Sequence, residues 1–509
     1  MLLRQTFGKV RTFGRCLTTG QRERQDLDGE YLSAKSYETI PKISTLRILW
    51  SMMDSKEKTI LDQVVKRHHD ISGSIFKICI PGQTDRVFLN QPELLRTLMS
   101  KEGKMPVEAG FDPLVYYRNV LRKDLFTDTA GLVGSHGEPW YQFRSKVQQD
   151  MMRPKSAMFY SNHIEEISQQ FVDLMTVNAD RNGEVDDILK HIHSWSLESI
   201  AAIFLDTRLG CLDPNLPEDS EARRFIRAVN MFTGPDFNDL NIGLPIWKYI
   251  STPGFKRWDR ANTIIFQITK KYVDAAVEKF QQQQGEKEEG ELSVLERMIA
   301  RCGVGSQIPL VMAQDALTAG VDTTGSSVAF LLLDLANNPG QQEELSREIQ
   351  RVVGEGNITE SKLNQMKYLK ACLQESQRLN PAVIGFSRTV QQDITLGGFQ
   401  IPRGTIVSCF TRNLMMDPDN FPDPLQFRPE RWLRGCPQHH KAHPFAYLPF
   451  AHGPRKCIGV RFAELEMNIV AIKILQSYRL EYHHEPVGLR TEFLNKPDKK
   501  IKLKLIPRF

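Results

Sequence analysis

From residue 155 to residue 350 almost every segment places apolar residues three and four apart. SNHIEEISQQFVDLM, SWSLESIAAIFL, NTIIFQITKKYVDAAVEKF and the long stretch 307–337 all keep the period of an α-helix. A chain patterned this way buries helix against helix over most of its length. The departures are few. GSIFKICI (73–80) and RVFLN (86–90), on either side of PGQTD, read as two short strands joined by a turn, and QPELLRTLMS starts a helix after them. ITLGGFQIPRGTIV (394–407) reads as a hairpin turning at Gly397-Gly398. DPDNFPDPLQFRPERW is too rich in proline for a helix or a central strand. QQQQGEKEEGE (281–291) reads as a solvated loop between helices. The expected architecture is one large domain over 36–509, mainly α with a small β region (α+β), the β part drawn from both ends of the sequence.

The 509 residues suffice for a large core. A net charge of +5 is far from the imbalance typical of nucleic-acid binders, so no nucleic-acid partner is expected. The eight cysteines are scattered and form no CxxC pair, which indicates neither a zinc site nor a disulfide framework and suits a reducing compartment. No HExxH occurs, and His439 and His440 read as surface residues of a polar loop. The opening MLLRQTFGKVRTFGRCLTTGQR carries Arg4, Lys9, Arg11, Arg15 and Arg22, and the first acid is Glu23. Basic, hydroxylated and acid-free, residues 1–22 have the composition of a mitochondrial transit peptide, expected to extend to about residue 30. No run of about 18 apolar residues is present, so no membrane-spanning helix is expected. VAFLLLDLA (328–336), broken by Asp334, reads as a buried helix.

FAHGPRKCIG (450–459) sets Cys457 between glycines and beside Arg455 and Lys456. Gly453 and Gly459 let backbone approach a flat, bulky group where side chains would clash. VRFAELEMNIVAIKILQ (460–476) has helical spacing, so Cys457 lies just before a helix N-terminus. Dipole, free amides and Arg455 there favour a thiolate, as an axial ligand to a macrocycle-bound metal requires.

Phe450-x-x-Gly453-x-Arg455-x-Cys457-x-Gly459 resembles the heme-binding signature of the cytochrome P450 superfamily. Other motifs of that family stand in the expected order. Helix 365–379 holds Glu375 and Arg378, three apart on one face. Arg431 in FRPERW matches the residue that completes the family's structural Glu–Arg–Arg cluster, and Trp432 stands where phenylalanine is common. Segment 307–337 contains Ala319-Gly320-Val321-Asp322-Thr323-Thr324, in which Asp322, Thr323 and Thr324 are poor mid-helix choices and Gly320 costs about 1 kcal/mol relative to alanine. The resemblance implies that Ala319 and Gly320 leave room over the heme for dioxygen. It also implies that the Thr323 hydroxyl opens a local kink and that Asp322 relays protons from water. Arg144, Arg388 and Arg455 are the implied partners of the heme propionates, with Trp140 one helical turn from Arg144. Ser145 stands where the family often has a second basic residue.

The fold implied is a single heme-containing domain, similar most of all to insect mitochondrial members; SWSLESIAAIFLDTRLGCL (194–212) contributes to that likeness. The cofactor implied is heme b, with Cys457 as the axial iron ligand. The activity implied is a monooxygenase that puts one atom of dioxygen into a hydrophobic substrate, steroid-like or xenobiotic. No flavin or nicotinamide fingerprint is found in the sequence, so electrons are expected from a mitochondrial ferredoxin supplied by its reductase. Lys367 and Lys370 are the implied docking residues, although Gln374 replaces a frequent second lysine and Val460 precedes Arg461 where paired arginines are common. FTGPDFNDLNIGLPIWKYI (232–250) is expected as a loop forming the channel lid and touching the inner mitochondrial membrane from the matrix side. Phe111, Leu114, Val115, Ala316, Ala319, Ile384, Phe386 and Phe493 are expected at an apolar pocket. The rival readings are a heme-thiolate isomerase or dehydratase needing no external electrons, and a non-catalytic heme- or lipophile-binding protein.

Overall fold

The structure is a computed structural model and describes residues 29–43, 73–79, 84–242, 245–283, 287–491 and 493–508. The expected leader falls almost wholly outside the described residues, as do the turn after the first strand and Leu244 of the lid. The helices that position the site are α1 (Gly137–Met152), α2 (Ile188–Phe204), α3 (Glu221–Phe232), α4 (Pro235–Ile242), α5 (Pro253–Gln282), α6 (Ile308–Asn337), α7 (Lys367–Leu379) and α8 (Val460–Ser477).

Helix α6 runs through the middle of the fold. Pro309 in its first turn suits a helix start, and Pro339 opens the next helix just beyond its end. It is apolar on nearly every face, which is the pattern of a helix buried all round. It is also the one described helix long and apolar enough to cross a membrane, but 78% of its most apolar window is buried inside the fold. Asp334 survives there because the Ser376 hydroxyl donates to it at 2.6 Å and Asn380 at 3.3 Å. Desolvation pushes its carboxyl up to about 7. The open positions fall on one stripe: Ala319 is exposed, and Ala316, Gly320 and Thr323 are half-buried. Spacings of three and four put them on one face.

The β region forms as expected from distant parts of the chain. The main sheet runs Lys42–Ile43, Ile75–Ile78, Arg86–Leu89, Ile406–Cys409, Phe386–Thr389, Val107–Glu108. The strands at 75 and 86 pair antiparallel, and Arg86–Leu89 pairs in parallel with Ile406–Cys409. The expected hairpin is Ile394–Leu396 with Phe399–Ile401, its turn made by Gly397 (φ 58°) and Gly398 (φ 77°). Two left-handed residues in succession are what a two-residue turn needs to match strand twist. Segment 394–407 is only partly that hairpin, because Ile406 onward joins the main sheet.

Two elements differ from expectation. Helix α7 begins at Lys367, not 365: Met366 (ψ 72°) breaks it from the preceding helix Glu360–Gln365. Its free amides are met from a distance by Glu348, which accepts from Tyr368 N at 2.8 Å and Leu369 N at 2.9 Å. The lid is not a loop. It is α3, α4 and the 3₁₀ turn Pro245–Lys248. Phe232, Phe237 and Trp247 are buried in it, stacked with Trp258 and Phe255 of α5, while Ile246, Tyr249 and Ile250 are exposed.

Candidate active site

Segment 450–459 is a tight loop. Cys457 N donates to Phe450 O at 3.0 Å and Lys456 N to Gly453 O at 3.0 Å. The left-handed residues that shape it are Ala451 (φ 55°) and Gly453 (φ 74°). Gly459 instead caps α8 with φ −85°, so its glycine is not demanded by backbone conformation. Cys457 is exposed. It nevertheless lies in surroundings dense enough that desolvation pushes its thiol up, against the Gly459 N–H and the charges of Arg144 and Lys456. The expected helper Arg455 points elsewhere.

That residue and three others form a cationic cradle beside the loop. The Arg455 guanidinium lies 4.1 Å from the ring centre of Trp140 and donates to the carbonyls of Pro106 (3.2 Å) and Ser135 (3.1 Å). Arg144, on α1 with Trp140, donates to Lys456 O at 3.1 Å and so ties α1 to the cysteine loop. Burial pulls Arg144 and Arg455 down to about 10, which leaves both charged at neutral pH. Arg388 is buried on its strand and pairs with Glu102 at 2.7 Å and Glu108 at 3.1 Å. Glu102 comes so close to the loop that a Cβ on Gly453 would meet its Oε1 at 3.0 Å. Sequence reasoning missed Glu102, Glu108 and His136 here; each arrives through long-range packing with no local signal.

Buried polar atoms test what this cradle accommodates. Arg388 Nη2 and Arg144 Nε are buried with no hydrogen-bond partner. Buried donors of this kind cost free energy unless an acceptor arrives. Unspent guanidinium donors beside an open thiol fit a flat group carrying carboxylates.

The brace behind the loop is complete. Glu375 Oε1 is 2.9 Å from Arg378 and 2.9 Å from Arg431, with all three side chains buried. Arg378 donates to the carbonyls of Met415, Pro424 and Gln426, and Arg431 to that of Pro422, which pins the proline-rich segment. Trp432 is more than a filler: its Nε1–H donates to Glu375 Oε2 at 2.8 Å. His439 is exposed and His440 half-buried, and both have partners the sequence did not show. Their rings meet the carbonyls of Arg431 (3.0 Å) and Asn420 (2.6 Å), so they brace the same segment.

On α6 the expected residues separate. Thr323 donates to Ala319 O at 2.7 Å, the expected back-bond, yet the helix runs unbroken. Gly320 faces α2: a Cβ there would lie 2.2 Å from Ile200 Cδ1. Gly320 thus lies half-buried against α2, and the exposed position is Ala319. Asp322 is fully buried and turned from water. Its carboxylate meets Lys496 at 2.8 Å, the Thr233 hydroxyl, and His193 at 3.6 Å. Desolvation raises that carboxyl, but Lys496, His193 and Thr233 outweigh it and hold it below the usual range. The Asp322 carboxylate therefore has no direct contact with water in this arrangement. Lys367 and Lys370 are both exposed on α7. Of the pocket residues, Phe111, Val115, Ala316, Ile384, Phe386 and Phe493 are half-buried, and Leu114 belongs to the core.

A central helix with one open face, an open cysteine on a glycine-shaped loop, an arginine cradle and a buried Glu–Arg–Arg brace together define the heme-thiolate class. The chain belongs to the cytochrome P450 family, whose family model matches residues 41–505. It is therefore a monooxygenase-type oxidoreductase that uses heme iron. It is 33% identical over 498 residues to "Probable cytochrome P450 12a5, mitochondrial" of Drosophila melanogaster, covering 94% of this chain and 92% of that protein. "Probable cytochrome P450 301a1, mitochondrial" of the same fly is 34% identical, covering 94% and 88%. The rat "1,25-dihydroxyvitamin D(3) 24-hydroxylase, mitochondrial" is 30% identical, covering 91% and 87%.

Proposed function

We propose that this chain is a mitochondrial, ferredoxin-driven monooxygenase holding heme b through Cys457. The observation that carries the reading is the open Cys457 sulfur beside buried arginines with unused donors. When bound, the heme supplies dioxygen activation, with the thiolate donating electron density to iron. The chain's own residues do the rest. Arg144, Arg388 and Arg455, with Trp140 stacked on Arg455, hold the propionates. Phe450, Gly453 and Gly459 would shape the loop around the sulfur. Ala316 and Ala319 would leave room over the bound group, and Thr323, with buried Asp322 next to it in the chain, would handle protons there. Glu375, Arg378 and Arg431 fix the loop's support.

Half-buried Phe111, Ile384, Phe386 and Phe493 support a hydrophobic substrate, steroid-like or xenobiotic. The names of the relatives support a mitochondrial setting, where an acidic ferredoxin would dock at Lys367 and Lys370 after reduction by its own reductase. Exposed Ile246 (52%), Tyr249 (75%) and Ile250 (66%) support peripheral contact with the matrix face of the inner membrane. Val120 (61%) and Leu121 (44%) are exposed as well, a few residues after Tyr116, which packs on Trp247 at 5.5 Å.

Cys457→Ser tests the assignment. The expected result is loss of the carbon-monoxide difference band of the reduced heme-thiolate; an unchanged band overturns the reading. An isomerase or dehydratase would turn over without dioxygen or reductant, and the expected result is that both are consumed.

A further inference from the structure

The Asp322 carboxylate is gripped from two elements that lie far away in sequence. Lys496, on the strand Asn495–Pro497, sits 2.8 Å from Oδ2, and Lys496 Nζ also reaches the Thr233 hydroxyl at 3.3 Å. Thr233, at the end of α3, donates to the same Oδ2. Asp322 Oδ1 and His193 Nε2, 3.6 Å apart, are both buried without a hydrogen-bond partner. The grip is therefore one-sided: one oxygen is held by two donors and the other is unspent.

Both gripping residues adjoin elements that the proposed function places around the pocket. Four residues after Thr233 is Phe237 of the lid helix α4, and three before Lys496 is Phe493, in the C-terminal hairpin that pairs Leu489–Thr491 antiparallel with Asn495–Pro497. Those rings meet edge to face at 4.7 Å, and Phe111 joins them at 5.0 Å from Phe493. The hairpin is itself anchored, since Asn495 Nδ2 donates to Pro381 O at 2.8 Å. Lid and hairpin thus touch each other through aromatic rings and touch α6 through Asp322. Thr323, next in the chain, faces the open stripe instead.

We propose that Lys496 is a positioning residue for Asp322, and that the Lys496–Asp322–Thr233 triangle latches the closed lid and hairpin to α6, so that proton handling at the Asp322–Thr323 step depends on closure. This rests on the reading of Asp322 and Thr323 as the proton-handling pair. Lys496 transfers no proton itself. Its charge keeps the buried carboxylate ionised and oriented, and an unpaired carboxylate at that depth would neutralise instead.

The test uses the heme-loaded protein with a ferredoxin, its reductase and a substrate found by spectral shift. In Lys496→Met, amide exchange across 233–242 and 493–497 should accelerate about tenfold or more, as expected on breaking a buried pair. Product formed per reductant consumed should fall severalfold, and the solvent isotope effect on turnover should change. Lys496→Arg should restore coupling and exchange. In an Asp322→Asn background, Lys496→Met should cause no further loss of coupling, because residues acting as a unit are not additive. That double variant also removes both charges together, so it remains informative where Lys496→Met alone folds poorly. Faster exchange with unchanged coupling and isotope effect would make the triangle structural only and overturn the proposal. So would unchanged exchange. If Asp322→Asn and Thr323→Ala themselves leave coupling intact, the proton-handling reading fails and the inference with it. If only Lys496→Met is silent, the inference alone fails.

Discussion

Glu375 accepts five hydrogen bonds: two from Arg378, one each from the side chains of Arg431 and Trp432, and one from Arg428 N. A buried carboxylate survives only when its acceptor sites are filled this way. The resemblance to the family supplied the two arginines and treated Trp432 as an exchange for phenylalanine. The indole N–H makes it a partner. Trp432→Phe should destabilise the protein by about 1.5–3 kcal/mol, the range for a hydrogen bond to a charged group. Denaturant unfolding of the heme-loaded protein checks this, and a loss within about 0.5 kcal/mol, ordinary for a neutral substitution, would return Trp432 to the role of filler. Sequence made Cys457, Glu375 and Arg378 legible because their spacing is local. It could not reach Glu102 or Lys496, whose meaning depends on strands brought in from elsewhere.

At the level of elements, the crossing of α2 and α6 decides what the glycines in α6 are for. A Cβ at Gly320 would press on Ile200, and one at Gly325 would lie 2.7 Å from His193 Cδ2. Both glycines let the two helices approach closely. Helix propensity favours alanine by about 1 kcal/mol, and overpacking costs about 1–3 kcal/mol, so the two effects oppose each other. Gly320→Ala should leave the wild-type protein unchanged or less stable. In an Ile200→Val background, which removes the methyl in the way, the same substitution should be stabilising. Paired thermal unfolding of the four variants reads the sign. A gain in both backgrounds would refute the packing account. The periodicity of α6 was plain in the sequence, but the sequence could not say which neighbour its glycines face.

Over the whole molecule the charge is small, net +5, and what matters is where exposed charge gathers. Lys367 and Lys370 stand exposed on the same helix that carries buried Glu375 and Arg378. A partner docked there would lie against the helix that braces the cysteine loop. Steering by such charges raises association rates at low salt and is screened as salt rises. Lys367→Glu with Lys370→Glu should slow reduction by ferredoxin about tenfold or more at low ionic strength, the scale of electrostatic steering. The difference from wild type should shrink at high salt, with the heme spectrum unchanged. Stopped-flow reduction across a salt series measures it, and a salt-independent rate equal to wild type would remove these lysines from the docking surface.

Spacing along one chain determined the helical body, the hairpin at Gly397-Gly398 and the cysteine loop, because helical period, turn chemistry and a glycine-flanked loop are written within a few residues. Only the tertiary structure decided what Asp322 touches. Its partners come from residues 193, 233 and 496, on three other elements. A buried charge takes its behaviour from whatever surrounds it in space, and for this carboxylate those neighbours are a lid and a hairpin that no local pattern connects.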